Sequence, residues 1–135
     1  MNYWLMKTEP DTYSWEDLVK DKKTVWDGVR NFQARNNLKA MKKDDLVFIY
    51  HSGDDKAVIG VAKIVKEFFP DPSDKEWASV EIAPVKKLTH PVTLAQVKAD
   101  KRLTDMVLVR VSRLSVQPVK PTEHEIVLSL SEGKK

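Results

Sequence analysis

The sequence predicts one α+β domain in which short helices are inserted around a curled β-sheet or small open barrel. Apolar runs with strand character recur at residues 46–51, 57–69 and 77–85, close enough to pair mostly as hairpins. Segments with helix-capping patterns lie between the predicted strands, without the regular alternation of a doubly wound fold. The 135 residues are enough to bury a core, so we predict a single domain over residues 1–135.

The first predicted strand and helix lie near the N-terminus. Residues 3–7 form a short strand that ends before Pro10, because proline lacks the amide hydrogen that a central strand needs. Ser14 and Asp17 have the spacing of a capping box, with Asp in place of the usual Glu. A short helix is therefore expected to start at Ser14 and to end near the lysine-rich residues 20–23.

A second helix is predicted over residues 30–41. Its apolar residues recur at helical spacing, which gives it one face that packs inward. These residues are Ala34, Leu38 and Met41. Trp26 and Gly28 are then expected in the loop that precedes the helix.

The middle of the chain is predicted to supply three strands. Residues 46–51 are a nearly continuous apolar run, typical of a buried strand, and residues 57–69 are its expected hairpin partner. Gly60 inside the second strand indicates a bulge or a close approach of another group. A proline-containing turn at 70–72 precedes residues 77–85, whose alternation predicts the third strand.

The C-terminal part is predicted to contain two helices and one strand. Thr93 and Gln96 have capping-box spacing and start the first helix. Residues 107–114 alternate and predict a strand. Thr122 and Glu125 form a third capping box, which predicts a final short helix.

Composition and spacing exclude several kinds of site. The chain has no cysteine, which rules out a disulfide framework, a thiolate nucleophile and a Cys-ligated metal. Its three histidines lack metal-binding spacing, and its four glycines are too dispersed for a phosphate-binding loop. No apolar run approaches the roughly 20 residues that span a bilayer. We therefore expect a cytoplasmic protein with no metal, no cofactor and no membrane association.

Catalysis by a serine nucleophile is also disfavoured. His51 and Ser52 are adjacent, but successive side chains of a strand face opposite sides, and no nucleophile-elbow motif is present.

The net charge of +3 permits a polyanionic partner without requiring one. The only basic tail, Lys134 and Lys135, is interpreted as a frayed end. Affinity for nucleic acid would have to come from a local site.

Residues 24–37, TVWDGVRNFQARNN, have the composition of a recognition site. Trp26 offers a flat face on which a base could stack, and Gly28 lets a ligand approach the backbone. Amides such as Asn31 and Gln33 can both donate and accept hydrogen bonds. Two structural alternatives are open: Asn31 can cap a helix, and Trp26 can belong to the core. Neither explains why Trp, Gly, Arg and amides occur together.

Several segments resemble the EVE domain family of the PUA-like superfamily, in the expected order along nearly the whole chain. The most specific segments are KTEP at 7–10, WDGVRN at 26–31, QARNN at 33–37 and SRLSV at 112–116. The family usually has Ser at the position of Thr8, and the change keeps the hydroxyl group. The resemblance implies a small curled PUA-like sheet and binding of RNA or DNA, often around a modified base.

A weaker similarity links the chain to YTH domains, which hold methylated adenine in an aromatic cage. By this similarity Trp26 would be a cage wall, Asn31 a base-edge partner and Trp77 a candidate second wall. The chain lacks an obvious set of three cage aromatics, so specificity for methyladenine is not implied. EVE domains are associated with modified cytosines and other bases, which leaves the modification, and the choice of DNA or RNA, open.

The resulting prediction is a non-enzymatic, monomeric module that binds a modified nucleotide in DNA or RNA. Trp26 would stack on the base, Asn31 and Gln33 would bind its edge, and Lys7, Arg30 and Arg110 would attract phosphate. Ten residues are predicted to contact the ligand: Lys7, Thr8, Trp26, Arg30, Asn31, Gln33, Tyr50, His51, Ser52 and Arg110. Two alternatives stay open: binding of a small planar metabolite, and docking of another protein.

Overall fold

A mixed six-stranded sheet with two open edges forms the centre of the protein in the computed structural model, which describes residues 1–133. The strands are β1 Tyr3–Thr8, β2 Thr24–Trp26, β3 Leu46–His51, β4 Ala57–Asp71, β5 Asp74–Thr93 and β6 Val116–Val119. Their order is β2-β5-β4-β3-β1-β6. Only β1 and β3 run parallel within this sheet. The predicted α+β class is confirmed, and the predicted frayed end, Lys134 and Lys135, lies outside the described residues.

Five α-helices cover the sheet within residues 1–133. They are α1 Trp15–Asp21, α2 Phe32–Ala40, α3 Leu94–Ala99, α4 Val107–Arg110 and α5 Pro121–Ser131. The predicted capping boxes at Ser14 and Thr93 are confirmed. The third is wrong, because α5 is capped two residues earlier, where Glu123 Oε1 accepts the amide hydrogen of Lys120 at 2.9 Å.

The core consists of two apolar clusters that follow the alternation of the strands. Trp4 and Met6 of β1 belong to one cluster, together with Trp15 of α1 and residues of α2. Leu5, between them in sequence, belongs to the other cluster, with residues from α3, α4 and α5. Because successive residues of a strand face opposite sides of the sheet, residues of α1 and α2 pack into one cluster and residues of α3, α4 and α5 pack into the other. Trp4 and Trp15 are both buried in the core, with exposures of 6% and 2%.

Gly60 of β4 is a position at which another group comes close. A Cβ atom at Gly60 would lie 2.7 Å from carbon atoms of the Trp15 ring. The pairing of β4 with both neighbouring strands also shifts register next to this residue. Both predicted features, the bulge and the close approach, are present.

The strand predicted over residues 107–114 is wrong. Residues 107–110 form α4 instead, and Val111 donates its amide hydrogen to the carbonyl of Val107 at 2.7 Å. Because 107–109 are all apolar, the segment satisfies a helical pattern as well as a strand pattern. Burial of Leu108, while Val111 is 42% exposed, fits a helix packed by one face.

Two further boundaries differ from the prediction. Trp26 is the last residue of β2 and pairs with Val80 of β5, so it lies in an edge strand and not in a loop. β5 is also much longer than the predicted 77–85, and its pairing with β4 includes several register shifts. Within residues 1–133, no helix has the length and apolar character needed to cross a membrane.

Candidate functional site

A cavity of about 620 Å³ opens between the end of β1 and the segment that connects β2 to α2. Its volume lies within the range of small-molecule pockets. The lining residues are Lys7, Thr8, Thr12, Tyr13, Thr24, Val25, Trp26, Asp27, Gly28, Val29, Arg30 and Ser115. Four of the ten predicted contact residues are brought together here: Lys7, Thr8, Trp26 and Arg30.

Trp26 is held at the cavity by contacts on two sides. Its backbone pairs with Val80 of β5, and its half-buried ring packs on the core. The Tyr13 ring meets it edge-on, with ring centroids 6.4 Å apart and an interplanar angle of 87°. Tyr13 is itself fixed by a 2.8 Å hydrogen bond to Asp21, and burial raises the pKa of its hydroxyl group. The indole is therefore oriented before any ligand binds.

Asp71 at the end of β4 fixes the segment that connects β2 to α2, residues 27–31, here called the cavity loop, although Asp71 lines no part of the cavity. Its Oδ2 accepts hydrogen bonds from the Gly28 amide at 2.9 Å and from the Arg30 guanidinium at 3.0 Å. Its Oδ1 accepts the amide and hydroxyl hydrogens of Ser73, at 2.8 and 2.7 Å. Four donors on one carboxylate tie residues 28–30 to the turn after β4.

The charge of Asp71 results from this hydrogen bonding. Burial raises the pKa of the carboxyl group, but the bonds from Gly28, Ser73 and Arg30 outweigh burial and hold the pKa well below its usual range. The residue is 2% exposed and ionised. Sequence reasoning missed it, because an Asp between two prolines is typical of an ordinary turn.

Arg30 carries a positive charge at the rim of the cavity. Besides its bond to Asp71, its guanidinium donates to Ser73 Oγ at 2.9 Å and lies 5.6 Å from the centre of the Trp77 ring. Its side chain keeps 40% of its surface exposed. The group is thus held in place by the protein and still accessible to an anion.

Lys7 lies between the cavity and a second depression of about 240 Å³. Its ammonium donates to the carbonyl of Ser112 and lies 5.6 Å from the centre of the Tyr50 ring. Burial lowers the pKa of Lys7. The second depression is also lined by Tyr50, Ser52 and Lys56. The predicted contact residues that line a depression are therefore divided between two depressions that share Lys7.

His51 lies in neither depression. Its Nε2 accepts the amide hydrogen of Trp15 at 3.0 Å, and its Nδ1 is 3.1 Å from Oδ2 of Asp55. Since Nε2 accepts a hydrogen bond, the proton is on Nδ1 and points to Asp55. The side chain is buried, so His51 connects the end of β3 to the first turn of α1.

Three other predicted contact residues lie outside the cavity lining. Asn31 caps α2, with its Oδ1 accepting the Ala34 amide hydrogen at 2.9 Å. Gln33 is exposed on the first turn of that helix. Arg110 of α4 pairs with Asp105 at 2.6 Å. Trp77, the candidate second wall, also lines no part of the cavity.

The model of the EVE domain family matches residues 2–130 of the chain. The chain belongs to the EVE domain family. This EVE domain is 38% identical to human thymocyte nuclear protein 1, over 97% of this chain and 74% of that protein. It is also 42% identical to a protein of Rhodopseudomonas palustris that has a solved structure. That match covers 100% of this chain and 96% of that chain, with a TM-score of 0.94.

A solved structure of human thymocyte nuclear protein 1 contains DNA with 5-methylcytosine. Its protein is 34% identical to this EVE domain, the match covers 100% of both chains, and the TM-score is 0.92. An ASCH protein of Zymomonas mobilis is 15% identical over 96% of this chain and 95% of that chain, with a TM-score of 0.60. The likeness to the ASCH protein concerns the fold alone. Together, the structural matches confirm the predicted PUA-like fold.

Proposed function

We propose that this EVE domain binds a modified base of nucleic acid in the 620 Å³ cavity, without catalysing a reaction. One observation carries the proposal: a pre-oriented, half-buried indole lines a cavity that also contains two basic side chains, Lys7 and Arg30. A base needs a flat apolar surface, and its phosphate needs a positive charge nearby. The complex of the human relative with DNA containing 5-methylcytosine supports the same ligand class.

Trp26 is the proposed stacking surface. Because Tyr13 and the pairing with β5 already fix its ring, stacking requires little ordering of the side chain. Stacking of a base on an aromatic side chain is worth about 1–3 kcal/mol by alanine substitution. A base that is turned out of its strand can reach such a pocket, and a base that stays in a duplex cannot.

The edge of the base is proposed to contact polar groups that line the cavity. Asp27 supplies a carboxylate, which can accept a hydrogen bond from the exocyclic amino group of cytosine. Thr8 uses its hydroxyl hydrogen in a 2.6 Å bond to the Tyr13 carbonyl, so its oxygen is left to act as an acceptor. Asp27 and Thr8, and not Asn31 and Gln33, are therefore the proposed contacts to the base edge, since neither amide lines the cavity.

The phosphate is proposed to lie near Lys7 and Arg30. Both cations are already bonded to protein oxygen atoms, so we expect each to attract an anion without large movement. Lys7 also lines the second depression, where Lys56 adds a further positive charge. A neighbouring phosphate of the same strand fits this position.

A binding screen tests the proposal. Oligonucleotides with 5-methylcytosine, other modified bases or unmodified bases are titrated into the protein at two salt concentrations. Trp26→Ala is expected to weaken binding of the preferred oligonucleotide by roughly one to two decades. Phe68→Ala is the matched control, because Phe68 is a 47% exposed aromatic residue that does not line the cavity. Unchanged affinity in Trp26→Ala would show that the proposal is wrong.

The same screen distinguishes the other classes of function. A steep dependence on salt without any base preference would indicate a general nucleic-acid binder. A metabolite-binding protein would be saturated by the free nucleoside and would show no dependence on oligonucleotide length. An enzyme would return a changed base or strand, so the oligonucleotides are recovered and analysed by mass after incubation.

A further inference from the structure

Exposed Phe32 and half-buried Trp77 form an aromatic pair next to the cavity loop, here called the aromatic platform. Phe32 is the first residue of α2 and keeps 65% of its surface exposed. Its ring stacks on Trp77 of β5, with centroids 5.2 Å apart and an interplanar angle of 28°. One exposed aromatic side chain is common on protein surfaces, but two that stack and leave one ring mostly in solvent present a flat surface.

Two guanidinium groups, those of Arg35 and Arg30, lie close to the aromatic platform. The Arg35 guanidinium lies 4.9 Å from the centre of the Phe32 ring and 5.7 Å from that of Trp77. Within residues 1–133, Arg35 makes no ion pair, although it donates to the Glu76 carbonyl at 3.1 Å. Arg30 lies 5.6 Å from the Trp77 ring. Flat aromatic surface combined with guanidinium groups is complementary to a base and its phosphate.

Arg30 connects the aromatic platform to the cavity. It lines the cavity, and its guanidinium also lies over the ring of Trp77. Phe32 follows it by two residues, at the point where the cavity loop enters α2. A strand whose base occupies the cavity therefore passes a positive charge before it reaches the platform.

We propose that the aromatic platform stacks a base that neighbours the one held in the cavity, on the same nucleic-acid strand. This inference rests on the proposed function of the cavity and adds a second base to the site. The platform contacts the neighbouring base by its face, so it contributes affinity without reading sequence. An apolar protein partner fits less well, because two guanidinium groups lie against the rings.

The test compares a short strand with a single nucleotide. The probes are a single-stranded pentanucleotide with a central 5-methylcytosine, and 5-methyldeoxycytidine monophosphate, both titrated by NMR and calorimetry. Phe32→Ala is expected to weaken binding of the pentanucleotide by roughly 5- to 100-fold and to leave binding of the monophosphate unchanged. Phe32→Leu keeps apolar bulk but lacks the flat ring, so it should weaken the pentanucleotide as well. Since Phe32 is mostly exposed, both variants should keep the parent melting temperature.

Trp26→Ala separates failure of this inference from failure of the proposed function. If Trp26→Ala weakens both probes while Phe32→Ala changes neither, the cavity binds the base and the second stacking site is wrong. Equal weakening of both probes by Phe32→Ala also overturns the inference, since Phe32 would then act through the cavity. Full affinity in Phe32→Leu excludes stacking by the ring. If Trp26→Ala changes neither probe, the proposed function and this inference are both wrong.

Discussion

The backbone amide of Gly28 donates a 2.9 Å hydrogen bond to the carboxylate of Asp71, which is 43 residues further along the chain. Gly28 adopts a φ of +76°, a conformation that glycine accepts without steric cost. The same carboxylate binds Arg30. One buried anion thus sets the position of the loop that follows Trp26 and lines the cavity, which makes Asp71 a positioning residue.

Asp71→Ala is expected to lower both stability and ligand affinity. Hydrogen bonds to a charged group contribute about 1.5–3 kcal/mol, so the free energy of unfolding in urea should fall by at least roughly that amount. Affinity for the preferred oligonucleotide should fall as well, because Gly28 and Arg30 lose their shared anchor. Ser73→Ala is the control, since it removes one donor to Asp71 and one acceptor of Arg30 but leaves the bonds of Asp71 with Gly28 and Arg30. Wild-type stability and affinity in Asp71→Ala would contradict this role.

The contribution of Asp71 should also depend on pH. Because its pKa is lower in the folded state than in the unfolded state, the stabilisation is fully present above the unfolded value of about 3.9. It is lost as the pH falls below that value towards the folded pKa. The difference in unfolding free energy between wild type and Asp71→Ala should therefore be constant from pH 7 to 5 and shrink below about pH 4.

His51→Phe is expected to reduce stability without changing the cavity. The substitution removes the acceptor for the buried amide of Trp15, and an unsatisfied buried donor costs about 1–3 kcal/mol. His51→Gln keeps an acceptor and should lose less, as measured by urea unfolding. Ligand affinity of the folded variants should match wild type, because His51 lines neither depression. A large loss of affinity at unchanged stability would instead indicate that His51 contacts the ligand, as the sequence predicts.

Local patterns were sufficient to predict most elements of the fold. The capping boxes at Ser14 and Thr93 depend on residues three positions apart, and strand alternation assigns residues to faces of the sheet. The strand predicted over residues 107–114 is wrong because the consecutive apolar residues 107–109 satisfy both periods, and long-range packing selects the helix. The predicted monomeric state and cytoplasmic location stay predictions.

The candidate site was predicted in part, because its composition is local and its geometry is not. Trp26 and Arg30 could be chosen from one stretch of sequence. The anchor of that stretch is Asp71, and the cavity lining includes Ser115, each supplied by a distant part of the chain. Asn31 shows the opposite error, since an amide suited to binding a base is used locally to cap α2.

Gly60→Ala is expected to destabilise the protein through overpacking. The added Cβ would lie 2.7 Å from Trp15 ring atoms, and the ring is buried and cannot move outward freely. Such overpacking costs about 1–3 kcal/mol, which urea unfolding can measure. In a Trp15→Leu background the same substitution should cost less, because the clashing ring is absent. An equal cost in both backgrounds would mean that the backbone of β4, and not the ring, requires glycine.

His124 is expected to make stability depend on pH between 7 and 4. Burial, together with the charge of Lys86, lowers its pKa to about 4, and its ring stacks on Phe48 and contacts the tilted ring of Tyr3. In the unfolded chain its pKa is about 6.5. Between these values the unfolded state binds more protons than the folded state, so stability falls as the pH falls. The total loss is on the order of 3 kcal/mol.

His124→Phe tests this linkage, because it keeps an aromatic ring next to Tyr3 and Phe48 and removes the proton-binding site. The free energy of unfolding of the variant, measured in urea at several pH values, should vary less from pH 7 to 4 than that of wild type. His90→Gln is the control for the loss of a histidine, since His90 is exposed. If His124→Phe keeps the full pH dependence, the proton uptake belongs to other groups, and the folded pKa of His124 lies near its unfolded value.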